Sequence, residues 1–75
     1  MAKPDTPIAA ILVRARERAG LPQADLARRL KFSVAEIAHI EAGHVVPSLR
    51  TMDRWSQAVG GRLVMSIVQS SSAAL

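Results

Sequence analysis

Two amphipathic stretches lie close together in the segment QADLARRLKFSVAEIAHIEAG, residues 23–43. Apolar residues recur in each stretch at the spacing of one helical face: Leu26, Ala27 and Leu30 in the first, Ile37 and Ile40 in the second. Residues 31–33 form the whole connection between the two stretches. Because so short a connection forces two helices to cross steeply, the segment predicts a bihelical corner.

The second helix of this corner has a clear beginning and a clear end. SVAE, residues 33–36, has the form of a capping box, in which the side chains of Ser33 and Glu36 each accept from the other's backbone amide. Gly43 supplies a left-handed stop. The residues expected to point outward from this helix are Val34, Ala35, Glu36 and His39.

A helix is also expected before the corner. Thr6 followed by Pro7 predicts its start, and Gly20 predicts its end, so the helix should cover 7–19. Its inward residues are expected to be Ile8, Ile11, Leu12, Ala15 and Ala19.

A last helix is expected after the corner. Ser48 can cap it, and Gly60 and Gly61 would end it. Its buried face is expected to hold Leu49, Met52, Trp55 and Val59. The predicted fold class is therefore all-α, with four to five helices.

The C-terminal segment RLVMSIV, residues 62–68, changes from helical to alternating periodicity. Val and Ile favour strands, so the segment predicts a short β-strand. A lone strand leaves its edges unpaired, and the sequence offers no second strand, so the expected partner is the same strand of a second copy. The residues expected to hold that dimer together are Leu63, Val64, Met65 and Ile67.

These patterns divide the chain into four parts: a flexible arm (1–6), a helical domain (7–61), a dimerisation strand (62–68) and a disordered tail (69–75). A chain of 75 residues buries a modest share of its surface on folding. Because it contains no cysteine, disulfides and thiolate metal sites are excluded, and association between chains is the expected supplement.

Charge and composition restrict the partners. The net charge of +4 and the pI of about 11.2 permit a polyanionic partner without requiring one. The apolar run PIAAILV is too short to span a bilayer and lacks the flanks of a signal peptide, so we expect a cytoplasmic protein with no membrane partner.

No catalytic residue, cofactor or metal is expected. Glu36 and His39 have the spacing of some metal sites, but the second such pair that those sites need is absent from the sequence. His39 and His44 have no cysteine partners for zinc.

Three stretches together resemble the lambda-repressor-like helix-turn-helix proteins of the Cro/cI (XRE) type. They are RERAGLPQADLARRL, SVAEIAHIEAG and PSLRTMDRWSQAVG, and the resemblance covers about residues 12–60. Their most typical elements are Q-x-x-LA from Gln23, I-x-x-I-E-x-G from Ile37, and the pair Pro47 and Ser48. The continuation GGRLVMSIV is similar to small antitoxins of the HipB and HigA kind, in which a C-terminal strand pairs across a dimer.

The resemblance implies that the second corner helix lies in the major groove of DNA. The residues at the matching DNA-contact positions are Gln23, Ser33, Val34, Ala35, His39, His44 and Arg50. The resemblance also implies a structural salt bridge between Arg16 and Glu41. For Gln23, both a phosphate contact and a solvated surface position remain open.

The chain departs from the family pattern where bases would be read. Val34 and Ala35 stand where hydrogen-bonding side chains are usual, and they can only pack on a thymine methyl group. His39 is either a base or phosphate contact or an ordinary surface histidine. Glu36 is expected to fold back onto the Ser33 amide. Lys31 replaces a common glycine, so the turn either holds a left-handed lysine, at a cost of about 1 kcal/mol, or takes another shape.

The function implied by the resemblance is a sequence-specific transcriptional repressor that binds a palindromic operator in double-stranded DNA as a homodimer. The HipB and HigA likeness adds an expectation of an antitoxin that represses its own operon and neutralises a cognate toxin. The alternative is a protein-interaction module that uses the same fold as a scaffold and binds a toxin or another protein with little DNA readout. The apolar start of the second corner helix favours that alternative.

Overall fold

The computed structural model describes residues 7–67, and every element in that range is helical. The elements are α1 (Pro7–Arg18), α2 (Gln23–Leu30), α3 (Val34–Glu41) and α4 (Leu49–Ala58). The helix α1 packs against α3 and α4, and α2 packs against the same two helices. The all-α prediction is confirmed over the described residues.

The core lies between the four helices and is centred on Trp55, Leu26 and Ile37, which are fully buried. The indole Nε1 of Trp55 donates to the backbone oxygen of Leu12 at 3.2 Å, which joins α4 to α1. The other buried members of the cluster are Leu12, Ala27, Leu30, Ile40 and Met52. The inward stripes predicted for α2 and α3 are therefore confirmed.

The predicted inward faces of α1 and α4 are wrong in part. Ile8 and Ile11 are 39% and 64% exposed, and Leu49 is 57% exposed. The buried strip of α1 consists of Ala9 and Leu12 instead. The spacing of apolar residues does not show which of two adjacent rows on an apolar helix surface is buried. Packing against α3 and α4 buries only one narrow row of α1.

The carboxyl ends of α2 and α4 are held by arginines from each other. Arg54 donates to the backbone oxygen of Leu30 at 2.7 Å, and Arg29 donates to that of Ala58 at 2.7 Å. Each guanidinium satisfies a carbonyl that has no partner within its own helix. These two contacts fix the position of α2 relative to α4.

The segment after α4 has no regular secondary structure over residues 61–67. The strand predicted over 62–68 is therefore absent from residues 62–67, while residue 68, the arm (1–6) and the tail (69–75) lie outside the described residues. Among residues 7–67 the segment has no neighbouring strand to supply backbone hydrogen bonds. Of the predicted dimer residues, Leu63 packs against the chain's own core, whereas Val64, Met65 and Ile67 are exposed.

Candidate nucleic-acid interface

The corner between α2 and α3 turns at Lys31. Lys31 adopts φ 59° and ψ 39°, the left-handed conformation, so the first of the two alternatives for this residue holds. The next amide, of Phe32, donates back to the Ala27 oxygen at 2.9 Å and closes the end of α2. A left-handed non-glycine residue carries a strain of about 1 kcal/mol.

The start of α3 is closed by the predicted capping box. The Ser33 hydroxyl accepts from the Glu36 amide at 3.0 Å, and the Ser33 amide donates to Glu36 Oε1 at 3.0 Å. The carboxylate of Glu36 is thereby held at the amino end of α3, where the helix dipole favours a negative charge.

The helix α3 has one buried side and one exposed side. Its inward residues are Ile37, Ile40 and Glu41. The exposed residues that form what we term the outer face of α3 are Val34, Ala35, Ala38 and His39. Val34 is 46% exposed, which is high for a valine in a folded domain. All three outward residues predicted as base contacts, Val34, Ala35 and His39, thus lie on this face.

A polar cluster on the buried side, which we term the buried junction, joins Arg16, Gln23 and Glu41. Arg16 Nε lies 2.5 Å from Glu41 Oε2, and Arg16 Nη2 lies 3.1 Å from Oε1. Arg16 Nη1 also donates to the Leu21 oxygen at 2.8 Å. Glu41 is only 7% exposed, and the hydrogen bond to it raises the pKa of Arg16 despite the opposing effect of burial. The guanidinium of Arg16 therefore stays protonated where it joins α1 to α3.

Gln23 contributes a contact that the sequence reading did not find. Its Nε2 donates to Glu41 Oε1 at 2.8 Å, across 18 positions of sequence. The side chain is partly buried. One of the amide donors that could contact a phosphate is therefore engaged within the protein, while the side-chain oxygen and the second amide hydrogen have other directions open to them.

His39 and His44 lie side by side at the far end of the outer face. Their Nδ1 atoms are 3.4 Å apart, and their ring centroids are 5.6 Å apart. Both side chains are exposed. His44 comes from the loop after α3, so the loop extends the surface formed by the outer face of α3.

A cleft of about 350 Å³ lies between α3, this loop and the start of α4. Its lining residues are Phe32, Glu36, His39, Ile40, Val45, Val46, Pro47, Ser48 and Thr51. Val45 and Val46 are 51% and 76% exposed at its rim. The cleft has a mainly apolar lining, in keeping with the apolar character of the adjoining outer face.

The sequence profile of the helix-turn-helix domain family matches residues 8–66. The chain belongs to this helix-turn-helix family. The match includes all of α2, α3 and α4 and almost all of α1. Helix-turn-helix domains bind DNA with the second helix of the corner, which here is α3. No curated protein matches the sequence significantly.

The helix-turn-helix carries little positive charge on the predicted contact residues. Of the seven, only Arg50 is a permanent cation, and it is exposed in the first turn of α4. Ser48 caps α4 by accepting from the Thr51 amide at 3.1 Å. Lys31 adds an exposed ammonium at the corner itself. The two cations lie at opposite ends of the α3 segment, one before it and one after it in the chain.

Over residues 7–67, no helix is both long and apolar enough to cross a membrane. Within the same range, no three histidine, cysteine or acidic side chains are grouped closely enough to hold a metal ion.

Proposed function

We propose that the protein is a transcriptional repressor of the lambda-repressor-like, Cro/cI type, which binds operator DNA with α3 in the major groove. The observation that carries the proposal is the exposure of Val34, Ala35 and His39 on one side of α3 within a helix-turn-helix domain. A helix presented in this way can approach base edges without any rearrangement of the core.

We further propose that the repressor acts as a homodimer joined through residues 62–68. Val64, Met65 and Ile67 are 77%, 58% and 86% exposed, and pairing with a second copy would remove this apolar surface from water. Two copies of α3 related by a twofold axis would then meet a palindromic operator, with half-sites about one helical turn apart.

A fluorescence anisotropy titration tests the DNA proposal. The full chain is titrated against the duplex upstream of its own gene and against a scrambled duplex of equal length and composition. We expect the upstream duplex to bind about 1,000-fold more tightly, with an affinity that falls steeply with salt. Equal affinity for both duplexes would contradict the proposal.

Sedimentation of a chain truncated after Gly61 tests the dimer proposal. The four helices and the buried junction all precede the truncation, so the shortened chain retains every described helix. We expect the full chain to sediment as a dimer and the shortened one as a monomer. A shortened chain that still dimerises would exclude the 62–68 segment as the interface.

The HipB-like and HigA-like layout supports a narrower proposal, that the repressor is an antitoxin that controls its own operon. A second candidate, a protein-interaction module, is favoured by the exposed apolar side chains of Val45, Val46 and Leu49. Co-expression with the product of the adjacent gene, followed by the titration above, separates them. Capture of that product together with tight upstream binding supports the antitoxin, whereas capture without DNA discrimination supports the module.

A further inference from the structure

The polar side chains around the start of α3 make hydrogen bonds within the protein. Ser33 and Glu36 form the capping box, and Gln23 donates to Glu41 in the buried junction. His39 lies further along α3 beside His44, and the other exposed side chains left to meet a base edge in the first turns of α3 are Val34, Ala35 and Ala38. All three end in methyl groups and have no hydrogen-bonding capacity.

The major groove presents one apolar group, the C5-methyl of a pyrimidine. Thymine carries it, and 5-methylcytosine carries the same group at the same place, whereas the other positions on the base edges are hydrogen-bond donors and acceptors. We propose that the outer face of α3 recognises C5-methyl groups, and this inference rests on the proposed DNA-binding function. Val34 is the principal contact because it is the largest of the three side chains.

Discrimination would act in two directions. A C5-methyl packed on Val34 loses water without losing a hydrogen bond, which is favourable. An unmethylated cytosine or a guanine edge against the same side chain loses hydrogen bonds to water that valine does not replace. One carboxylate oxygen of Glu36, Oε1, accepts from the Ser33 amide, which leaves the carboxylate with fewer lone pairs for a cytosine amine.

The test begins with selection of binding sites from a randomised duplex pool by the full chain. Each thymine of the enriched site is then replaced singly by deoxyuridine, which removes the methyl group and leaves the hydrogen-bonding edge unchanged. We expect the affinity to fall about fourfold at one or more positions in each half-site, as for loss of one buried methyl group. At a position where thymine is preferred, cytosine in place of thymine should lower the affinity, and 5-methylcytosine in the same place should restore part of it. This comparison distinguishes the two sources of the methyl group.

A matched pair of variants assigns the contact to α3. Val34→Ala removes two methyl groups from the outer face, whereas Ile11→Ala shortens a side chain that is 64% exposed on α1, outside the corner. Val34→Ala should reduce the deoxyuridine penalty to less than twofold, because the methyl group has lost its partner. Ile11→Ala should leave the penalty at its parental value. Circular dichroism confirms that both variants keep their helical content.

The outcomes separate this inference from the proposed function. An enriched site whose affinity is unchanged by every deoxyuridine substitution overturns methyl recognition and leaves the repressor intact. An enriched site in which the deoxyuridine penalty persists in Val34→Ala overturns Val34 as the principal contact. A pool that yields no enriched sequence overturns the repressor and methyl recognition together.

Discussion

The two sides of α3 each depart in part from the usual arrangement of an amphipathic helix. Its buried side ends in a carboxylate, Glu41, that is held by Arg16 and Gln23, whereas its exposed side carries Val34 and Ala35. Elsewhere in soluble domains, polar groups face water and methyl groups face the core. The strongest polar interactions of this segment thus join α1, α2 and α3 inside the fold, and apolar groups are left exposed on α3.

The largest expected effect concerns the buried junction. Arg16→Ala leaves the Glu41 carboxylate, 7% exposed, without its cation, so we expect the free energy of unfolding to fall by about 3 kcal/mol. Urea unfolding followed by circular dichroism measures the loss. Replacing both partners, with Arg16→Met and Glu41→Leu together, should recover much of the stability because no buried charge remains. An unchanged unfolding midpoint for Arg16→Ala would show that the ion pair does not hold the helices.

Gln23→Ala tests whether the Gln23 side chain mainly stabilises the buried junction or contacts a DNA phosphate. Loss of one hydrogen bond to a charged group should lower the free energy of unfolding by about 1.5 kcal/mol. DNA affinity, measured below the unfolding transition, should fall by less than about threefold if the amide is mainly structural. The opposite pattern would be unchanged stability and a large loss of DNA affinity, with the loss becoming smaller at high salt. That pattern would place Gln23 on a phosphate instead.

Two substitutions at Glu36 test the capping box at the start of α3. Glu36→Ala removes half of the capping box and should cost about 1 kcal/mol of stability. Glu36→Gln keeps an oxygen for the Ser33 amide, so its stability should stay within about 0.5 kcal/mol of the parent. Both variants remove a negative charge from the DNA-facing surface and should bind DNA more tightly at low salt. Weaker binding by Glu36→Gln would mean that the carboxylate itself contacts a base.

The smallest effect is expected at the turn. Lys31→Gly relieves the left-handed strain at φ 59°, and the gain is offset in part by the greater freedom of glycine in the unfolded chain. We expect a net stabilisation of about 0.5 kcal/mol, visible as a rise of a few degrees in the thermal midpoint. Lys31→Ala serves as the control, since it removes the charge and keeps the strain. A midpoint for Lys31→Gly clearly below that of Lys31→Ala would show that the turn is not strained, because only the entropic cost of glycine would then remain.

Some features of the fold were readable from local sequence. The apolar spacing around Leu26 and Ile37 predicted the corner, and SVAE predicted the capping box with its reciprocal bonds. The same spacing misplaced Ile8, Ile11 and Leu49, which are exposed. Local patterns report which residues can share a helical face, and only the neighbouring helices decide which row of that face is covered.

Local sequence was enough to predict the four helices, the serine caps of α3 and α4 and the short connection between α2 and α3, because each depends on residues within a few positions of one another. The tertiary structure was needed to show that Gln23 donates to Glu41 in the buried junction. It was also needed to show that Arg29 and Arg54 each bind the carboxyl end of the other's helix. Those contacts span 18 to 29 positions, and no local rule specifies which distant carbonyl or carboxylate a long polar side chain reaches. The packing of α1 and α4 against the corner brings these groups within hydrogen-bonding distance, and so leaves the methyl groups of α3 facing outward.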